Sequence, residues 1–241
     1  MQAGAFSLKN PLIAALDLDS AEDCLDLVRR LGGRVGAYKL GPRLIVRYGA
    51  DLVQKVAKDA PVFVDNKYLD IPSTMEAAIR ASFDAGATLA TVHAWAGREA
   101  LERLAAVERE LNAIRPFKVL AVTILTSFSP ETLPPALKDR PIVTQVEELA
   151  ELAFKSGLSG VVCSPQEIEV IRRLSSSAFV VTPGIRLPTD AAGDQKRIET
   201  PESAIRAGAS AIVVGRPIIA AEDPVAAVEK ILDSIQKGQK Q

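Results

Sequence analysis

The chain has 241 residues, 48% of them hydrophobic, with 29 Lys and Arg against 30 Asp and Glu. This length and apolar content suit one barrel-sized domain with a large core and exclude a disordered chain. A formal net charge of -1 provides no global field toward nucleic acid or an anionic membrane, so an anionic ligand needs local positive charge. Short apolar runs then alternate with amphipathic segments. The first run spans Pro11 to Asp17; Ser20 reads as the N-cap of a helix reaching Leu31, which Gly32 and Gly33 end. The second run is Val35 to Leu40, with a helix to about Lys58; the third is Val62 to Asp65, with a helix from about Ser73 to Ala85. The fourth, Leu89 to His93, leads to a helix from Gly97 to about Ile114. The fifth, Val119 to Leu125, is followed by a proline-bearing loop and a helix near Val143 to Lys155. Gly160 to Cys163 is the sixth, with a helix from Pro165 to Leu174, and Ala178 to Thr182 is the seventh. The eighth is Ala211 to Gly215, before a last helix from about Asp223 to Gln236.

Continuous apolar strands between helices imply a parallel sheet covered by helices. Eight such units in ~250 residues favour a single-domain α/β fold, a (β/α)8 TIM barrel spanning residues 1–241. Periodicity does not exclude an open doubly wound sheet, but no Gly-x-Gly-x-x-Gly turn follows the first strand. Cys24 and Cys163 form neither a disulfide framework nor a zinc site. Met1 to Asn10 lacks an apolar leader, and no apolar run reaches the ~18 residues of a membrane span. The expectation is a cytoplasmic protein without nucleic-acid or membrane partners.

Chemistry in such a barrel sits at the carboxyl ends of the strands. Strand one ends in Asp17, strand two in Lys39, and strand three runs into Asp65, Lys67 and Asp70. Alternation along the strand predicts that Phe63, Asp65 and Lys67 share the inward face. Buried charges of one sign are costly, whereas two lysines and two aspartates at one mouth satisfy each other. A structural ion-pair network is the plainer alternative, and the catalytic-face position weighs against it. After strand eight, Gly215 lets an anion approach the backbone and Arg216 offers forked donors, at the usual phosphate position of these barrels. The polar loop from Thr182 to about Ile198 reads as a lid. His93, the only histidine, reads as a satisfied structural residue, Trp95 as packing or rim, and Ser127 lacks a histidine partner for nucleophilic chemistry.

The segment Asp65-Asn66-Lys67-Tyr68-Leu69-Asp70-Ile71-Pro72-Ser73-Thr74 resembles the Asp-x-Lys-x-x-Asp-Ile-Pro-x-Thr signature of the orotidine 5′-phosphate decarboxylase family. Asp17, Lys39 before Leu40-Gly41, Leu125-Thr126-Ser127, Thr182-Pro183-Gly184-Ile185-Arg186, Gly193-Asp194-Gln195 and Val214-Gly215-Arg216 are similar too. The resemblance covers nearly the whole chain. Departures fall at Asn66, usually apolar, at Tyr68-Leu69, more usually Phe-His, and at Ser73, a frequent Asn. The resemblance implies that Lys67 protonates C6 of the pyrimidine as carbon dioxide leaves, with Asp65 and Asp70 beside the departing carboxylate. It implies that Lys39 and Asp17 contact the ribose, and that Thr126 and Ser127 bind the pyrimidine. Gln195, Gly215 and Arg216 then hold the phosphate, Arg186 helps close the lid, and Ile71 and Pro183 line the substrate site. It further implies a homodimer in which Asp70 and Thr74 reach the neighbouring site, and no cofactor or metal.

Three alternatives stand beside it. Sibling sugar-phosphate enzymes share Asp-x-Lys-x-x-Asp but resemble this chain less at Ile71-Pro72, and they use magnesium. A Schiff-base aldolase needs a neutral lysine, which flanking carboxylates disfavour. A catalytically dead scaffold has no use for a buried charge array.

Overall fold

The computed structural model describes residues 6–187 and 199–240. Its strands are β1 (Leu12–Ala15), β2 (Ala37–Leu40), β3 (Val62–Tyr68), β4 (Ala87–His93), β5 (Lys118–Val122), β6 (Gly160–Val162), β7 (Phe179–Thr182) and β8 (Ala211–Val214). The helices are α1 (Ala21–Leu31), α2 (Pro42–Ala57), α3 (Pro72–Asp84), α4 (Gly97–Asn112), α5 (Ile142–Lys155), α6 (Ile168–Leu174), α7 (Pro201–Arg206), α8 (Arg216–Ile219) and α9 (Pro224–Gln239). Each strand pairs in parallel with the next, and β8 pairs back onto β1, with Leu12 opposite Ile212. That closing ladder decides between barrel and open sheet, because it leaves no free strand edge.

Both faces of each strand are buried, which explains the unbroken apolar runs. Phe63 points inward with Ile13, Leu89, Leu120, Val181 and Val213, while its neighbours Val62 and Val64 pack outward against the helices. The helix starts follow local chemistry. The Ser20 hydroxyl accepts from the Asp23 amide at the head of α1, and Asp223 accepts from the Val225 and Ala226 amides at the head of α9.

Two strand ends and two short helices differ from the sequence expectation. β3 continues past Asp65 to Tyr68, and β5 ends at Val122 rather than Leu125. Helices α7 and α8, of 6 and 4 residues, were not anticipated, because so few residues carry no readable period. Both cysteines are buried and neither is in a disulfide, and burial pushes the Cys24 thiol up to about 12. Among the described residues no helix is long and apolar enough to cross a membrane.

The amino end of the barrel is held by a buried ion pair. Lys118 Nζ lies 3.0 Å from a Glu108 carboxylate oxygen and 2.8 Å from Ser159 Oγ. The other Glu108 oxygen accepts from the Val119 amide at 2.6 Å, which ties α4 to β5. Removing one partner leaves the other charge buried alone. Lys118→Met is therefore expected to lower stability by about 3 kcal/mol in urea denaturation; a loss below ~1 kcal/mol would show that the pair is dispensable.

Candidate active site

The opposite end of the barrel carries charge on adjacent strands. Asp17 follows β1, Lys39 lies in β2 opposite Ala15 on one side and Phe63 on the other, and Asp65 lies in β3. The closed register brings these side chains together. Lys39 Nζ is 3.3 Å from Asp17 Oδ1 and 3.3 Å from Asp65 Oδ2, and Lys67 Nζ is 2.9 Å from that same Asp65 oxygen. The line of alternating charge therefore runs Asp17, Lys39, Asp65, Lys67. Lys39 and Asp65 are 9% and 8% exposed, so this array sits in a low-dielectric setting where pairing is obligatory. Burial alone would push the Lys39 ammonium down, but Asp65 and Asp17 outweigh it and hold its pKa above the ordinary lysine value.

Lys67 reaches the array by an irregular backbone. Its φ is 50°, the one positive φ of a non-glycine residue among those described. The β3–β4 register shifts between Val64, opposite Ala90, and Tyr68, opposite Val92, so β3 bulges there. Simple alternation predicted the right neighbours for Lys67 but not this route. Thr91, fully buried in β4, holds the bulge from inside: its hydroxyl oxygen accepts from the Lys67 amide at 2.9 Å and donates to Asp65 Oδ1 at 3.0 Å. Sequence reasoning passed over Thr91 because a threonine in a β-strand is unremarkable.

A cavity of about 720 Å³ opens over the array. Asp17, Lys39, Asp65 and Lys67 line it together with Thr126, Ser127, Pro183, Arg186, Gly215 and Arg216. Thr126 is buried and Ser127 exposed, both in the loop beyond β5. Arg186 is buried; its amide donates to the Glu199 carbonyl, and the Glu199 amide donates to the Gly184 carbonyl, which joins the two described ends of the β7 loop. Gln195 lies outside the described residues.

Three expected site residues are not in this cavity. Asp70 and Thr74 are exposed, and so is Ile71, at 64%. The Asp70 carboxylate accepts from the Ile71 amide at 2.7 Å, and no ion pair joins it to Lys67 or Lys39 among the described residues. Arg43, which the sequence did not flag, does line the cavity. It donates to Asp19 Oδ1 at 2.7 Å and to the Asp17 carbonyl at 3.3 Å, and Arg47 and Tyr48 donate to the Asp19 carbonyl. These bonds hold the β1–α1 turn that carries Asp17.

His93 differs from the expectation of a satisfied histidine. Its Nδ1 is buried without a hydrogen-bond partner among the described residues. Burial first, and then the Lys67 charge, lower its pKa, with Asp65 opposing, so the imidazole is neutral near pH 7. Trp95 is 43% exposed, a rim residue. Among the described residues no three His, Cys, Asp or Glu side chains are grouped as a metal site.

Thr91→Val keeps the shape but leaves the Asp65 carboxylate and the Lys67 amide each short of a partner. We expect a loss of about 2 kcal/mol in denaturant unfolding, with Lys67 no longer held at positive φ in a crystal structure of the variant. An unchanged midpoint and an unchanged Lys67 backbone would refute this role.

Comparison with known proteins covers the whole barrel. The family model described as "Orotidine 5'-phosphate decarboxylase / HUMPS family" matches residues 10–231. The orotidine 5′-phosphate decarboxylase of Trichlorobacter lovleyi is 43% identical over 233 residues, covering 95% of this chain and 97% of the relative. That of Cutibacterium acnes is 44% identical over 231 residues, covering 95% and 97%. The crystal structure of orotidine 5′-phosphate decarboxylase from Lactobacillus acidophilus superposes with a TM-score of 0.81 at 35% identity, covering 94% of this chain and 99% of that one.

Proposed function

Because the chain belongs to the orotidine 5′-phosphate decarboxylase / HUMPS family, we propose that it is a carboxy-lyase converting orotidine 5′-phosphate to uridine 5′-phosphate in de novo pyrimidine synthesis. The observation that carries this reading is the alternating Asp17, Lys39, Asp65, Lys67 array at the cavity floor, in a chain whose full-length relatives bear that enzyme's name. Within the family, Ile71-Pro72 and Thr74 favour the nucleotide enzyme over its sugar-phosphate siblings.

The chemistry follows from charge. The bond from C6 to the carboxylate breaks, its electron pair stays on C6, and carbon dioxide departs. The Lys67 ammonium stabilises that pair as it develops and then transfers a proton to C6. Asp65 fixes Lys67 at 2.9 Å and sets negative charge beside the substrate carboxylate. Asp17 and Lys39 take the ribose, and Thr126 and Ser127 the pyrimidine. Gly215, Arg216 and Gln195 take the phosphate. Among the described residues a Cβ at Gly215 would meet nothing closer than 3.5 Å, so their packing does not demand glycine there, whereas close approach of a phosphate would. Binding energy from the phosphate, remote from C6, is then available to the reacting centre, with Arg186 and the β7 loop closing over it. Neither cofactor nor metal enters this scheme.

The partner is a second copy of the chain. Leu69, Ile71 and Trp95 are exposed by 57%, 64% and 43%, apolar surface near the mouth that a homodimer covers. In that arrangement Asp70 and Thr74 serve the neighbouring site. We assign the enzyme to the cytoplasm, where cysteines outside any disulfide, as Cys24 and Cys163 are, remain reduced.

An ultraviolet assay of orotidine 5′-phosphate loss tests the activity. The purified protein turns over with chelator present, and Lys67→Ala loses activity on the order of a thousandfold or more. An inactive wild type, or turnover of a hexulose phosphate abolished by chelator, would move the assignment to a sibling. Mixing Lys67→Ala with Asp70→Ala tests the shared site: mixed dimers regain activity that neither variant has alone. No regain on mixing, with subunit exchange verified by mass spectrometry, would place Asp70 outside the neighbour's site.

A further inference from the structure

We propose that Asn66 and Tyr68 form a coupled pair of positioning residues that brace the Lys67 backbone from the outside of the barrel; this rests on reading Lys67 as the proton donor. A lysine at φ 50° occupies a conformation that side-chain-bearing residues avoid, and it persists only where its surroundings over-determine it. Thr91 supplies the inner restraint. The outer one lies on the two residues that flank Lys67. Asn66 Nδ2 donates to the Tyr68 hydroxyl at 2.8 Å, so a side-chain bond closes across Lys67 from the residue before it to the residue after it.

The chain of bonds continues into α3. The Tyr68 hydroxyl lies 3.2 Å from Ser82 Oγ, and Ser82 Oγ donates to the Ala78 carbonyl at 2.8 Å. Each hydroxyl has one hydrogen. With the Ser82 hydrogen spent on Ala78, Tyr68 must be the donor to Ser82. The direction is then fixed: Asn66 to Tyr68, Tyr68 to Ser82, Ser82 to the α3 backbone. Such a run of bonds is mutually reinforcing, and it ties the bulge to a helix turn buried against the barrel.

Stability alone does not explain the pair. Asn66 Oδ1 is buried without a hydrogen-bond partner among the described residues, an arrangement that disfavours the folded state. An apolar residue at position 66 would avoid that penalty but lose the bond across Lys67.

Tyr68→Phe removes the hydroxyl and keeps the ring. We expect kcat for decarboxylation to fall roughly tenfold, the scale of a small misplacement of a catalytic group, with KM changed less than about twofold. Asn66→Leu gives a similar fall in kcat without lowering the thermal midpoint, a separation that a purely structural residue does not produce. The double variant falls no further than either single one, because the two side chains act as one unit. Unchanged kcat in both single variants, losses that multiply in the double variant, or a fall in kcat that only tracks loss of folded protein would overturn the proposal. If the wild type does not decarboxylate orotidine 5′-phosphate, the functional reading fails on its own, and the three-bond amide-to-Hα coupling of Lys67, which reports φ, still decides the brace. That coupling changes in Tyr68→Phe if the brace exists and stays constant if it does not.

Discussion

The Asp65 carboxylate organises the mouth of this barrel. One oxygen is shared by two ammonium groups, Lys39 at 3.3 Å and Lys67 at 2.9 Å, and the other accepts from Thr91. A carboxylate this buried needs all of these partners, because an unpaired charge in such surroundings is not tolerated. Those partners come from β2, β3 and β4, so the array exists only when the strands hold their parallel register. Lys39 then requires a second carboxylate on its far side. Asp17 supplies it, and the Arg43 and Asp19 bonds keep the turn bearing Asp17 in place.

The two ends of the barrel show how differently a buried ion pair can be used. At the amino end, Glu108 and Lys118 spend their hydrogen bonds on each other, on Ser159 and on the Val119 amide. A groove of about 940 Å³ lies beside them, larger than the cavity at the mouth. Arg172, which also lines it, is occupied with the carbonyls of Ala178 and Gly208. Size therefore does not mark the site. The mouth is distinguished by charge held in a line under an open cavity, with polar loops from β5, β7 and β8 around it.

Much of this was legible in the residues. The eight apolar runs and the charges that end them locate the strands and the face where chemistry is expected, and Ser20 marks a helix start by its capping chemistry. Closure was not legible, because a strand buried on both faces has the same pattern in an open sheet and a barrel. Thr91 and Arg43 escaped notice for a related reason: their roles depend on neighbours 24 to 26 residues away in sequence. Asp70, Ile71 and Thr74 stand in the signature with Lys67, yet they are exposed and do not line the cavity. Sequence adjacency places them next to β3, but the fold of the chain does not bring them into the cavity lining.

The left-handed lysine follows from the same electrostatic demand. In a regular strand Asp65 and Lys67 would stand side by side on one face, about two residues' rise apart. The bulge in β3 departs from that spacing and sets the ammonium at hydrogen-bond distance from a carboxylate that Lys39 already shares. A conformation of this kind costs on the order of 1 to 3 kcal/mol. Attraction between opposite charges in a poorly hydrated setting is large enough to offset it. Relaxing the bulge would leave the buried Asp65 with one fewer cation, so the backbone strain and the ion pair hold each other in place. That mutual dependence gives the ammonium a fixed position before any ligand arrives, the property that makes electrostatic stabilisation of a developing charge effective.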